Sequence, residues 1–195
     1  MQKRDGLSKN IDFIYEKLVN DEEILRLLYY APRGSKVLSQ HTNEFTDLPS
    51  GVRLSIDPLS PLHPNILPID TSDDNEVVDK YWEIVDQSIK TKSKDNDITN
   101  LAICRLCVYH AKSRSPYGQE ESYRRDYIEI DILTEDRYEE GDTRSMAIVD
   151  RIQQLFHRKK GLGVGISIVT SPMPIQTVPQ YTKYRVYVEV TNVLL

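Results

Sequence analysis

Between Tyr127 and Leu133 the chain reads YIEIDIL, apolar and acidic residues in strict alternation. A β-strand turns successive side chains to opposite faces, so Ile128, Ile130 and Ile132 share one face while Glu129 and Asp131 share the other. No helix fits that period, and the segment calls for a sheet with one buried face. ICRLCVYH, from Ile103 to His110, reads as a second, buried strand. Ser115-Pro116-Tyr117-Gly118 between them is a turn signal, so the two strands are expected to form a hairpin with long arms and a projecting tip. Gly165 to Ser171 reads as a further strand. Arg185 to Val190 reads as another, with Val186, Val188 and Val190 inward and Arg185, Tyr187 and Glu189 outward.

Elsewhere the period is helical. From Ile11 to Tyr30, Ile14, Leu18, Ile24, Leu25, Leu27 and Leu28 recur at three- and four-residue steps. Asn20-Asp21-Glu22-Glu23 interrupts that stripe, either within one helix or, as we favour, where a second helix starts on Asp21 or Asn20 as N-cap. Pro32 and Gly34 end the segment. Residues 34 to 75 are rich in Pro and polar residues, a long irregular insertion of the kind usually functional or ordered by a partner. Its apolar residues Leu59, Leu62, Ile66, Leu67 and Ile69 suggest that it drapes over a surface. Glu76 to Lys90 reads as an amphipathic helix, and TKSKDNDITN as a solvated linker. Asp142 is the expected cap of a last helix, Thr143 to Arg158, closed by His157-Arg158-Lys159-Lys160 and Gly161. The expected architecture is α+β, a mainly antiparallel four-stranded sheet with a long hairpin, packed against two to three helices in one domain over residues 1–195.

Charge narrows the function. The 195 residues carry 25 Lys and Arg against 30 Asp and Glu, a formal charge of −5, which disfavours a duplex-DNA binder held by phosphate neutralisation. Mean hydropathy is −0.49. No stretch approaches a membrane span, and MQKRDGLSKN lacks the apolar centre of a signal peptide, so we expect a soluble protein made in the cytoplasm. The two cysteines form no disulfide framework. Twelve tyrosines against three phenylalanines and one tryptophan suit surfaces that bury against other proteins, although core tyrosines account for many of them.

The motifs of chemistry are thin. GxxxxGK[ST], HExxH and GxSxG are missing. Cys104 and Cys107 form a CRLC pair, but a strand sends residues three apart to opposite faces, so they read as small core residues. His41, His63, His110 and His157 stand singly. GLGVG, from Gly161 to Gly165, follows a helix and precedes a strand, the reverse of a dinucleotide-binding turn. Residues 120 to 144 hold ten carboxylates against four arginines. Glu129 and Asp131 could share a Mg²⁺ in a nuclease, yet no Lys or third acid accompanies them on that strand. A solvated or partner-facing surface is the alternative. The acidic segment could meet the basic runs Lys90 to Lys94 or His157 to Lys160 on a neighbouring copy, and repetition would close a ring. An acidic lumen would let DNA slide through without sticking.

The opening IDFIYEKLVNDEEILRLLYY, the DPLSPLHPNI segment, ICRLCVYH, then YIEIDILTED with DTRSMAIVDRIQQLF and the closing YRVYVEV together resemble tailed-bacteriophage neck and tail-completion proteins of the tail terminator family. The resemblance rests on element order and local wording across most of the chain. It implies a small α+β subunit of a hexameric ring at the head-proximal end of the tail tube, with tube and head-side connector proteins as partners. DNA would only pass through the lumen, and the protein would be a virion component, not an enzyme, with no cofactor, no metal and no membrane. The Pro-rich insertion and the interrupted first helix depart from the compact members and leave room for a head-closure or adaptor role.

The reading that follows is a structural neck subunit acting through assembly. Its expected neighbour contacts are the hairpin arms, with Lys112, Arg114, Tyr117, Arg124 and Arg125, and the Asp136 to Asp142 loop, with Asp136, Glu139, Glu140 and Asp142. The competing classes are a Mg²⁺-dependent nuclease using Glu129 and Asp131, and a small regulatory binding module.

Overall fold

A computed structural model describes residues 6–30, 57–68, 75–92, 104–114, 123–163 and 166–193. The YIEIDIL alternation lies in β3, Tyr123–Glu135, flanked by β2, Cys104–Arg114, and β6, Tyr181–Val193. All three are longer than their apolar cores, because the ladder continues where polar side chains take over. β3 pairs antiparallel with β2 from Cys104↔Thr134 to Arg114↔Arg125, with an irregularity between His110 and Lys112. It pairs antiparallel with β6 along its whole length, from Tyr123↔Val193 to Glu135↔Tyr181.

Three two-residue strands complete the sheet: β1, Ile89–Lys90, β4, Ile168–Val169, and β5, Met173–Pro174. The order is β1-β2-β3-β6-β4, with β5 also on β6. β1 runs parallel to β2, so among the described residues the sheet is mixed and six-stranded, against the mainly antiparallel four-stranded sheet expected. β1 escapes a pattern search because it is the end of the preceding helical run, turned into the ladder at Ile89↔Leu106.

Helices cover one face. They are α1, Gly6–Val19; α2, Glu22–Tyr29; α3, Asn75–Ser88; α4, Asp136–Asp142; and α5, Arg144–Phe156. That is five among the described residues, against the two to three expected, and the Asp136 to Asp142 segment is a helix where a loop was expected. Ile128, Ile130, Ile132, Val186, Val188 and Val190 are fully buried against Ile14, Leu18, Ile24, Leu25, Ile148 and Ile152 in one apolar cluster. None of these helices is long and apolar enough to cross a membrane.

α2 is fixed at both ends by arginines of α5. At its start Asp21 accepts from the Ile24 amide at 3.0 Å, the expected N-cap, and pairs with Arg151 at 2.8 Å. At its end the fully buried Arg144 donates to the carbonyls of Leu27 and Tyr30, two orphan acceptors of a helix C-terminus. Arg144 is in turn held by Asp142 at 2.6 Å. The expected cap of α5 is therefore occupied elsewhere: Thr143 sits at the N-cap with φ +50 and no side-chain cap bond, and Glu139 receives the Ser145 amide at 2.8 Å.

The described part of the Pro-rich insertion lies on α2. Arg26 donates to the carbonyls of Ser60 and His63 and to Asn65 Oδ1, while Glu22 accepts from the amides of Ile66 and Leu67. Ile66 is buried and Leu67 packs on the core, so this subunit itself orders residues 57–68. Ile69 lies outside the described residues.

After α5 the chain returns close to β6. Gly163 has φ +59, and a Cβ there would lie 2.2 Å from the Thr191 carbonyl oxygen and 2.6 Å from Val190 Cγ1. Backbone cannot yield at that distance. Gly163→Ala is expected to lower stability by more than ~2 kcal/mol, read from urea or thermal unfolding.

Candidate functional site

The face of the sheet away from the helices carries the acids that β3 alternation places there. Asp131 is fully buried and stands directly across from Arg185 in the β3–β6 register. Arg185 reaches both carboxylate oxygens, Nε to Oδ1 at 2.6 Å and a terminal nitrogen to Oδ2 at 3.0 Å. Oδ2 also accepts from the Tyr109 hydroxyl at 2.7 Å and faces Lys183 Nζ at 3.0 Å. Glu129 pairs with Arg185 Nε at 3.1 Å. Two carboxylates and two cations thus balance beneath a small apolar cover of Cys107, Leu133, Val178 and Tyr181.

Burial opposes ionisation of Asp131, but hydrogen bonds from Arg185, Tyr109 and Lys183 outweigh it and hold its carboxyl below the ordinary value. Burial, reinforced by hydrogen bonding to Asp131, pushes the Tyr109 hydroxyl up. The hydrogen bond to Asp131 raises Arg185 further. The carboxylate that could have served a nuclease is therefore committed to four donor contacts from three side chains, and Glu129 to the same guanidinium. The lysine missing from β3 is supplied by β6, where it neutralises Asp131. Chemically the cluster is a register lock.

The other residues singled out by sequence separate into two groups at opposite ends of β3. At one end Lys112 lies 5.3 Å from the Tyr127 ring centroid and 5.9 Å from that of Tyr187, Arg114 also lies over Tyr127, and Arg125 pairs with Glu189 at 3.4 Å. Arg124 turns to the helix-covered face and pairs with the fully buried Asp126 at 2.8 Å. Asp126 also accepts from Ser113 and Asn192. At the other end, about 40 Å along a thirteen-residue strand, Asp136 accepts from Thr182 at 2.9 Å. Glu139 and Asp142 serve α5 and Arg144 as described, and Glu140 is exposed. Tyr117 lies outside the described residues. Cys104 and Cys107 are both buried, one in each of the two separate apolar clusters.

One helix face was not read as a site. On α3, Asp79, Trp82, Glu83 and Asp86 are exposed along one side, with Trp82 at 50%. The signal was present in the i, i+3, i+4, i+7 spacing of three acids around the chain's single tryptophan.

A family model described as YomW matches residues 21–190, from the cap of α2 into β6. The SPbeta prophage-derived uncharacterized protein YomW of Bacillus subtilis (strain 168) is 25% identical over 175 residues, covering 88% of this chain and 89% of that protein.

Stability should follow Asp131. With its folded titration below the ordinary 3.8, its contribution is complete above about pH 4 and is lost as pH falls through the folded value. Asp131→Asn leaves Lys183 and Arg185 without their shared carboxylate and is expected to cost about 3–5 kcal/mol at pH 7. Urea unfolding from pH 7 to pH 3 should show the two proteins converging as the pH drops.

Proposed function

We propose, from the premise that this chain belongs to the YomW family, that it is a phage-encoded structural subunit acting through assembly, a neck ring protein of the tail terminator kind. The prophage origin of the Bacillus subtilis relative supports the phage setting. The observation that carries the assembly reading is the placement of large apolar side chains at both margins of the sheet. Trp82 is half-exposed on α3, which runs directly into edge strand β1, and Ile166, Ile168 and Met173 are exposed on and beside β4 and β5 at the other margin. A subunit with two such margins has two neighbours to meet.

The charge cluster supports the same reading from the other side. Its carboxylates are spent within the subunit, which favours a scaffold over a hydrolytic centre. In the proposed role the protein caps the tail tube and offers its other surface to head-side connector proteins, with DNA passing through the ring.

Purified protein is expected to sediment as a closed oligomer and to give rings by negative stain, and phage particles made without it should carry tails of uncontrolled length or unjoined heads. A monomer at all concentrations together with normal, joined tails would overturn the proposal. Plasmid incubated with the protein and Mg²⁺ or Mn²⁺ should remain intact, whereas cutting that Glu129→Ala abolishes would establish the nuclease instead.

A further inference from the structure

The two margins of the sheet differ in charge. On α3 the exposed side brings Asp79, Glu83 and Asp86 around Trp82. Of the described cations of the same region, Lys80 lies over the Tyr29 ring, Lys90 donates to the Asp86 carbonyl, and Lys92 is exposed just beyond β1. Tyr81 packs edge-on against Trp82, with ring centroids 5.0 Å apart, and holds the indole outward.

At the opposite margin the signs reverse. Arg158, Lys159 and Lys160 follow α5, are exposed, and make no ion pair among the described residues. Their loop is pinned to the strand segment, because the Arg158 amide donates to the Ser167 carbonyl at 2.8 Å and the Ser167 amide to the Lys159 carbonyl at 3.0 Å. Arg158 is held at φ +55, a conformation costly for a side-chain-bearing residue. The three cations are thereby presented beside Ile166 and Ile168, both close to half-exposed. An apolar anchor with an acidic surround stands at the β1 margin, and an apolar patch with a basic surround stands at the β4 margin.

We infer that the acidic, tryptophan-bearing side of α3 in one copy docks on the basic, isoleucine-bearing β4–β5 margin of the next, joining copies of this chain head to tail. This rests on the assembly reading above and names its contact. Charge complementarity selects a second copy as the occupant, since each patch carries what the other lacks and both belong to every subunit. The acids between Tyr123 and Arg144, the other source of negative charge, are mostly bound within the subunit. Because the patches lie at opposite margins of one sheet, the contact is heterologous and repeats from copy to copy. Trp82 is its expected hot spot.

The test is a charge exchange in the full chain, followed by sedimentation velocity and by the emission of Trp82, the single tryptophan. Wild-type assembly should shift that emission to the blue. Glu83→Lys with Asp86→Lys, and separately Lys159→Glu with Lys160→Glu, should each dissociate the oligomer, and a mixture of the two variants should regain paired species through the exchanged charges. Trp82→Ala should weaken association roughly 30-fold with the unfolding midpoint of the monomer unchanged. An oligomer that survives both exchanges would overturn this contact while leaving the assembly reading in place, whereas a wild type that never associates would remove both. Binding of the wild type to a labelled DNA duplex, lost in the Lys159→Glu/Lys160→Glu variant while sedimentation stays unchanged, would assign the cations to nucleic acid and overturn the inference.

Discussion

The pairing of Asp131 with Arg185 across two central strands sets the register on which the rest of the sheet depends. Both strands carry alternating faces, so a slip of one residue would carry every isoleucine of β3 to the wrong side. Apolar packing alone penalises that slip on the helix-covered face. The opposite face penalises it independently, because a displaced Asp131 would be a buried carboxylate without its guanidinium, its lysine or its tyrosine. Two unrelated forces, one on each face, therefore agree on a single alignment. Such agreement is what allows β3 and β6 to remain paired through thirteen positions, from Tyr123↔Val193 to Glu135↔Tyr181.

The periodic parts of this arrangement are legible in the sequence, and the paired parts are not. Ile128, Ile130 and Ile132 and the alternating Val186, Val188 and Val190 of β6 announce their face by spacing, and Asp21 announces the break between α1 and α2 as a cap followed by acids. Lys183 does not announce itself. It lies two residues before Arg185, on the same face, but its meaning depends on β6 lying beside β3, which is a tertiary fact. The short strands are invisible for another reason: two residues cannot establish a period, so β1 reads as the end of α3 and β4 as part of a longer strand. At α5 the expected cap was the right residue type in the wrong role, since Asp142 is drawn to Arg144 and Glu139 supplies the amide bond instead.

Internal demand explains why a segment so rich in acids is a poor indicator of an external surface. Asp126 answers Arg124 and Asn192, Asp131 answers three donors, Asp136 holds Thr182, and Glu139 and Asp142 secure the start of α5. A carboxylate near the sheet is more useful to the fold than to a neighbour, because the helix termini and arginines around it would otherwise lack partners. On α3 the arrangement is the reverse. Its buried side is satisfied by Tyr81, Ile84 and Val85, while Asp79, Glu83 and Asp86 lie on the exposed side, where Glu83 accepts from Gln87 one turn on. Composition counts both sets alike, and only packing separates them.

The shape of the two margins bears on how copies could meet. A long open strand at either edge would invite backbone pairing with any extended chain, a contact with little selectivity and no natural end. Here the outermost strands β1, β4 and β5 are two residues each and cover only part of β2 and β6, and the proposed contact rests on side chains rather than on ladder extension. Side chains carry sign and shape, and they reject a wrong partner by leaving a charge opposed or an indole unburied. A head-to-tail contact forms a ring when its rotation closes and a filament when it does not. In the proposed contact, the packing of α3 at one margin and the backbone bonds of the Arg158 turn at the other would set that rotation within the subunit's own fold. In the proposed tube-capping role, closure has to be decided before assembly begins, and these two margins are where this chain would decide it.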